Sequence, residues 1–285
     1  MNVLVTGSNG QLGNEIRVAS TAFSAFNYIF TDVAELDICN KAALNRFVVD
    51  NVIDAIINCA AYTAVDKAED DVDLCYKINR DAVRNIAEVA LAHKVKVIHI
   101  STDYVFDGTS HFPLTEDMPT AALGVYGKSK LAGENELITI CPDSVIIRTS
   151  WLYSSFGGNF VKTMIKLGNE RDTLNVIFDQ VGTPTYAADL AVAILNVLSA
   201  KNFVSGIYHY SNEGVCSWYD FTKKIHKLAN VSCLVKPIET KDYPTRTPRP
   251  HYSVLNKSKI KTTYEIEIPF WEDSLEVCIR TLALS

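Results

Sequence analysis

The sequence predicts an α/β fold: a doubly wound, Rossmann-type parallel sheet covered by helices, with a smaller C-terminal substrate-binding lobe. Three observations predict it. Strand and helix patterns alternate through the first half of the chain. The strands are nearly continuous apolar runs rather than alternating ones, as in a parallel sheet buried on both faces. A glycine turn, Gly7, Gly10 and Gly13, joins the first strand to the first helix.

The elements follow in order. Residues 3–6 form a short apolar run that ends at Gly7. From Gly10 to about residue 21, Leu12, Ile16 and Ala19 share one side of a helix. Residues 28–31 are the next strand, ending in Asp32; 42–49 read as helix and 55–58 as strand. One long amphipathic helix is expected over 75–92, then a strand over 95–101. A helix over 126–140 is stopped by Pro142, and 145–148 is another strand. Beyond Trp151 the rhythm loosens, with helices at 159–167, 187–198 and 218–228 and a strand at 206–210. Residues 243–250 carry three prolines and two arginines and predict a rigid loop, and a final helix spans 271–284. These patterns divide the chain into a dinucleotide-binding domain, 1–150, and a region, 151–285, that is mainly a substrate-binding lobe with elements returning to the first domain.

Composition narrows the function. Apolar residues are 48% and charged ones 21% of 285, ordinary for a soluble globular protein. The net charge of −6 and the lack of a Lys/Arg-rich block argue against nucleic acid and anionic membrane as partners. Seven scattered cysteines without a C-x-x-C pair argue against a disulfide framework and a structural zinc site. No run approaches ~18 apolar residues. The N-terminus has no basic region before its apolar run, so it reads as a strand rather than a signal peptide. The expectation is a cytoplasmic protein with a small-molecule substrate.

The glycine turn is the first chemical signal. Glycine allows a tight turn and close backbone approach to a pyrophosphate, which the following helix N-terminus attracts. Asn9 stands where the G-x-G-x-x-G form has its middle glycine, so a ligand-free βα turn is the alternative reading. Asp32, about twenty residues on, matches the dinucleotide context. Its carboxylate suits a ribose hydroxyl and favours NADH over NADPH, although either cofactor stays open; a solvated loop aspartate is the alternative. Asp37 and Ile38 are placed to flank an adenine.

The second signal is Tyr126-Gly-Lys-Ser-Lys130, preceded by Ser101-Thr-Asp-Tyr104. Tyr126 and Lys130 share a helix face at i and i+4. An ammonium beside a phenol is expected to pull the tyrosine pKa down from ~10. Thr102, at a strand end, is placed to hold a substrate oxygen. Together they predict hydride chemistry on a carbonyl or alcohol. The alternatives are a surface ion-pair-like helix face for Tyr126 and Lys130 and a capping role for Thr102. A proline-stiffened loop holding Arg246 and Arg249 suits a substrate diphosphate, unless these arginines are simply solvated.

Six segments carry a wider resemblance: Thr6-Gly-Ser-Asn-Gly-Gln-Leu-Gly13, Asn58-Cys-Ala-Ala-Tyr-Thr-Ala-Val-Asp-Lys-Ala-Glu69, Ser101-Thr-Asp-Tyr-Val-Phe106, Tyr126-Gly-Lys-Ser-Lys-Leu-Ala-Gly-Glu134, Arg148-Thr-Ser-Trp151 and Arg249-Pro-His-Tyr-Ser-Val-Leu255. In this order they resemble the extended short-chain dehydrogenase/reductases, and among them the dTDP-4-dehydrorhamnose reductase family, over essentially the whole chain. The resemblance implies reduction of dTDP-4-dehydro-L-rhamnose to dTDP-L-rhamnose by NADPH or NADH. It implies that Tyr126 protonates the C4 oxygen, Lys130 holds the nicotinamide ribose, Thr102 bonds the C4 oxygen, Asp103 touches the substrate and Trp151 packs on the sugar. It implies that Gly10, Gln11 and Leu12 meet the pyrophosphate, and Ala61, Tyr62 and Thr63 the middle of the cofactor.

Some members of this family bridge a dimer through Mg²⁺. Glu15 matches the first of their carboxylates, but Ala188 stands where a second is expected and the C-terminus has no acid. A lone carboxylate is a poor Mg²⁺ site. The expectation is no bound metal, and a monomer or weak homodimer. Other readings stay open: a reductase or epimerase for another 4-keto nucleotide sugar, or a non-catalytic regulatory subunit. A dehydratase is disfavoured because Tyr104, not a glutamate, follows Thr102-Asp103.

Overall fold

A computed structural model describes residues 1–284. Its centre is a six-stranded parallel sheet of β1 (Asn2–Thr6), β2 (Asn27–Thr31), β3 (Ala55–Asn58), β4 (Lys96–Thr102), β5 (Val145–Thr149) and the strand Gly206–His209. The spatial order is β2-β1-β3-β4-β5 and then Gly206–His209. The direction of winding reverses between β1 and β3, and ligands of such sheets bind at the strand carboxyl ends beside that reversal.

Period-2 geometry explains the continuous apolar runs. Val3 and Val5 enter one core with Ile57, Val145 and Ile147, against helices α1 (Gln11–Ala19) and, later in the chain, Ala187–Ser199. Leu4, Ile56 and Ile146 enter the opposite core with Leu44 and Val48 of α2 (Lys41–Asp50). The strand Gly206–His209 and the helix Ala187–Ser199 both come from the second half, so that half contributes to the main sheet and its covering layer. A third core, around Tyr153, Phe221, Trp271 and Leu275, belongs to residues beyond 150.

The expected helix over 75–92 is interrupted. It runs as α3 (Val72–Tyr76), a π turn at Lys77–Asp81, and α4 (Ala82–His93). The wide turn presents Asn79, whose Oδ1 accepts from the Tyr62 N–H at 2.9 Å and whose Nδ2 donates to Ser129 Oγ at 3.0 Å. Its backbone oxygen lies where a Cβ on Gly133 would approach to 2.0 Å, so Gly133 lets α5 (Val125–Ile140) close onto the turn. Such π turns are frequent at functional sites.

Two strands, Thr173–Ile177 and Leu234–Ile238, pair in parallel outside the main sheet. Leu174 and Val176 point inward and alternate with polar Thr173 and Asn175, a period-2 pattern that sequence reading could have used. At the Gly206–His209 edge of the main sheet, Glu116 Oε1 accepts from the His209 N–H at 3.0 Å. Lys259 Nζ donates to the Ile207 carbonyl at 2.7 Å. Among the described residues no helix is long and apolar enough to cross a membrane.

Candidate active site

At the carboxyl ends of β1 and β3 opens a cavity of about 430 Å³, walled by Gly7, Gly10, Asp32, Asp37, Ile38 and Ala61. Gly7 has φ +65°, and a Cβ there would lie 2.6 Å from the Ala60 nitrogen. A Cβ on Gly13 would lie 2.4 Å from Ser8 Cα. These two glycines are therefore steric requirements of the turn. A Cβ on Gly10 would meet only the Gly7 oxygen, at 3.3 Å, which leaves its outer side to a ligand. No side chain caps α1, so its first N–H groups remain available to an anion. The cradle thus fits a dinucleotide pyrophosphate.

Not every predicted residue lines this cavity. Leu12 is buried in the core. Gln11 Oε1 accepts from Asn159 Nδ2 at 3.0 Å. Leu12 can meet a pyrophosphate only through its backbone N–H, whereas Gln11 keeps its side-chain Nε2 as a donor as well. Asp32 braces the turn: its Oδ2 accepts from the Asn9 N–H at 3.0 Å and its Oδ1 from the Val33 N–H at 2.8 Å. Tyr62 and Thr63 are absent from the wall; the Tyr62 hydroxyl donates to Asp71 at 2.8 Å and Thr63 is exposed. Leu74, Lys77 and Ile78 also line it; Lys77 and Ile78 lie on the predicted helix, and Leu74 just before it.

The reactive group sits at the end of β4 and the start of α5. Thr102 does cap a short turn, accepting from the Tyr104 N–H at 3.2 Å, and its hydroxyl donates to Asp103 Oδ1 at 3.0 Å. Its hydroxyl also lies beside the Tyr126 phenol. Tyr104 packs edge-on against Tyr126, with centroids 5.5 Å apart. Asp103 is 2% exposed, and burial pushes its carboxyl up to about 7.

Here the structure corrects one expectation. Burial raises the Tyr126 phenol above its ordinary value, with the Thr102 hydroxyl opposing and Asp103 adding to the rise. Lys130 does not lower it, because its ammonium is directed elsewhere: Nζ donates to the Ile100 carbonyl at 2.6 Å and lies 3.4 Å from His99 Nε2. Lys130 is 2% exposed and is itself brought down to about 8 by burial. An i, i+4 spacing fixes the shared face but not where a long side chain ends.

A larger cavity, about 630 Å³, opens on the second-half side and includes Tyr104, Trp151, Trp218, Arg171 and Arg249 in its wall. Trp151 stacks on Trp218 with centroids 3.5 Å apart and planes 10° from parallel. Trp151 has φ +48°, a conformation rarely adopted by bulky residues and often held at functional sites. A Cβ on Gly182 would come within 2.8 Å of the Trp151 ring, so that glycine makes room for it. Trp218 and Arg171 carried no motif signal. Arg249 Nη2 donates to Asp66 Oδ2 at 2.6 Å, while its Nη1 is buried without a partner. Arg246 pairs with Asp70 and does not line the cavity.

Two of the quoted segments are joined by a buried ion pair. Arg148 donates to Glu134 through Nε to Oε1 at 3.0 Å and Nη2 to Oε2 at 2.7 Å. Glu15 is buried as well, and its Oε1 accepts from Ser154 Oγ at 2.6 Å. Among the described residues no group of three or more His, Cys, Asp or Glu side chains is arranged to hold a metal.

Residues 1–284 match the family described as the RmlD substrate binding domain. The chain belongs to that family. Among solved structures, a dTDP-4-dehydrorhamnose reductase from Clostridium acetobutylicum is 44% identical with a TM-score of 0.95, covering 99% of this chain and 100% of that one. A dTDP-4-dehydrorhamnose reductase from Bacillus anthracis, solved in complex with NADP, is 39% identical with a TM-score of 0.94, over 98% of this chain and 99% of that one. A curated dTDP-4-dehydrorhamnose reductase from Aggregatibacter actinomycetemcomitans is 39% identical over 96% of this chain and 97% of its own. Membership in the RmlD family extends over all the described residues.

Proposed function

We propose that this chain reduces dTDP-4-dehydro-L-rhamnose to dTDP-L-rhamnose with NADPH or NADH, as a cytoplasmic step in nucleotide-sugar synthesis. The observation that carries the reading is Tyr126, a buried phenol held protonated beside Thr102, with Tyr104 bridging to the wall of the larger cavity. Full-length similarity to the reductases, one of them bound to NADP, supports it. Residues 1–150 hold the dinucleotide and 151–285 mainly the sugar nucleotide.

When bound, a reduced nicotinamide would supply the hydride for C4. Everything else is asked of the protein's own groups. The glycine turn and the N–H groups of α1 hold the pyrophosphate, and Asp32 accepts from a ribose hydroxyl. Tyr126 gives its phenolic proton to the developing C4 oxygen; a raised pKa keeps that proton in place at neutral pH. Thr102 and Asp103 bond the substrate beside it. Lys130, swung from the Ile100 carbonyl, holds the nicotinamide ribose. Trp151, backed by Trp218, packs on the sugar face. Arg249 takes the diphosphate with its unpartnered Nη1, while Asp66 holds the other nitrogen.

Purified protein mixed with dTDP-4-dehydro-L-rhamnose and either NADPH or NADH is expected to oxidise the nicotinamide stoichiometrically and form dTDP-L-rhamnose. No oxidation with either, from folded protein that binds nucleotide, would move the reading to another keto sugar or to a regulatory subunit.

The protein is also read as a monomer or weak homodimer with no metal bridge. Glu15 supports this, being turned inward onto Ser154. Sizing by light scattering should give the same mass with and without chelator; a dimer that chelator splits would overturn it.

A further inference from the structure

A chain of buried polar groups runs beneath the cofactor cavity and ends on Lys130. Its directions can be fixed one by one. The Ala60 N–H donates to Asn58 Oδ1 at 3.2 Å, and Thr6 Oγ1 donates to the same oxygen at 2.7 Å. A backbone N–H only donates, so the oxygen of Asn58 is identified. Its amide nitrogen then faces His99 Nδ1 at 3.0 Å. That nitrogen also only donates, so Nδ1 of His99 carries no proton. A neutral imidazole bears one proton, which must then be on Nε2. Burial, with Lys130 as the second cause, holds His99 well below its ordinary pKa, so it does not take a second proton. The Nε2–H therefore points at Lys130 Nζ, 3.4 Å away.

An N–H can bond a lysine only through the lone pair of the neutral amine. The ammonium keeps its bond to the Ile100 carbonyl but gains nothing from His99. Of the other groups facing Lys130, Glu134 favours its charge most, yet burial outweighs it. Cys59 after β3 and Cys75 on α3 are kept as thiols by burial. Glu134, on the same helix, is committed to Arg148, and Tyr126 is a neutral phenol.

We propose that Thr6, Asn58 and His99 form a positioning chain that offers Lys130 a donor instead of an acceptor, so that the lysine loses its proton readily in the free enzyme and takes one from solvent when the dinucleotide binds. The proposal rests on the reading of Lys130 as the ribose-holding residue. A bound dinucleotide brings hydroxyl acceptors and negative phosphates, both of which favour the ammonium. The sign follows. Well below pH 8 the free lysine is already charged and binding takes up no proton; above it the free amine is neutral and binding takes one up.

Calorimetric titration of NADPH in buffers of different ionisation enthalpy reads this directly. Proton uptake should rise from roughly 0.2 per site at about pH 7.5 to roughly 0.9 at about pH 9. Asn58→Asp places a carboxylate that accepts from Nδ1–H, moves the ring proton to Nδ1 and lets Nε2 accept from the ammonium. NADPH binding should persist in that variant, with the uptake at about pH 9 falling to near zero. Uptake that does not change with pH, or that survives Asn58→Asp, overturns the proposal. A second readout needs neither the variant nor the cofactor: long-range ¹H–¹⁵N NMR of the histidine rings, with His99 assigned by its loss in His99→Gln. A bare Nδ1 and protonated Nε2 are expected; a proton on Nδ1 overturns the proposal. Failure of NADPH to bind overturns the coupling together with the reductase reading, whereas the wrong tautomer overturns this proposal alone.

Discussion

Tyr126→Phe is expected to lower turnover by about 10²–10⁴, the usual worth of a positioned acid, while leaving NADPH affinity near its original value. The substitution removes one oxygen and keeps the ring. The ring is what packs edge-on against Tyr104, in a buried cluster with Ala68 and Cys75. Affinity is expected to hold because Lys130 Nζ donates to the Ile100 carbonyl and is not held by the phenol. The measurement is steady-state kcat beside a fluorescence titration of NADPH. Near-full turnover in the variant would remove Tyr126 from the acid role. Loss of cofactor affinity to the same extent would make it a binding residue instead.

Glu134→Ala is expected to cost about 3–5 kcal/mol of folding stability, read from denaturant unfolding. Both members of the pair are out of water, with side chains 3% exposed at Arg148 and 1% at Glu134. Removing the carboxylate leaves a guanidinium that cannot shed its charge, and whose Nη1 already has no partner. The guanidinium over the Phe106 ring, 5.2 Å from its centroid, offsets only part of this. A loss of that size is a large share of the ~5–15 kcal/mol that holds a typical domain together. A loss below about 1 kcal/mol would mean that water reaches Arg148.

Strand positions were legible because a strand buried on both faces leaves an unbroken apolar run; β3 falls on the expected residues and β1, β2, β4 and β5 shift by a residue or so. The π turn at Lys77–Asp81 was not legible, since an extra residue in a helical turn barely disturbs a hydrophobic stripe. Glycine spacing located the cavity at β1, because Gly7 and Gly13 are sterically compelled. The direction of the Tyr126 shift was misread for a physical reason. Spacing reports which residues are neighbours, whereas a pKa depends on how much water is left around them. Trp218 and Asp66 were missed as site-builders because their roles arise from chain segments far apart in sequence, meeting Trp151 and Arg249.

The side chains at the Gly206–His209 edge of the main sheet have a consequence for how copies of this protein meet. A parallel edge strand exposes outward N–H and C=O groups that another chain can zip onto, the route to aggregation and strand exchange. On Gly206–His209 the outward His209 N–H and Ile207 carbonyl are already occupied by Glu116 and Lys259. An incoming strand would have to displace a carboxylate and an ammonium to bond these two groups, which works against this edge templating more of the sheet.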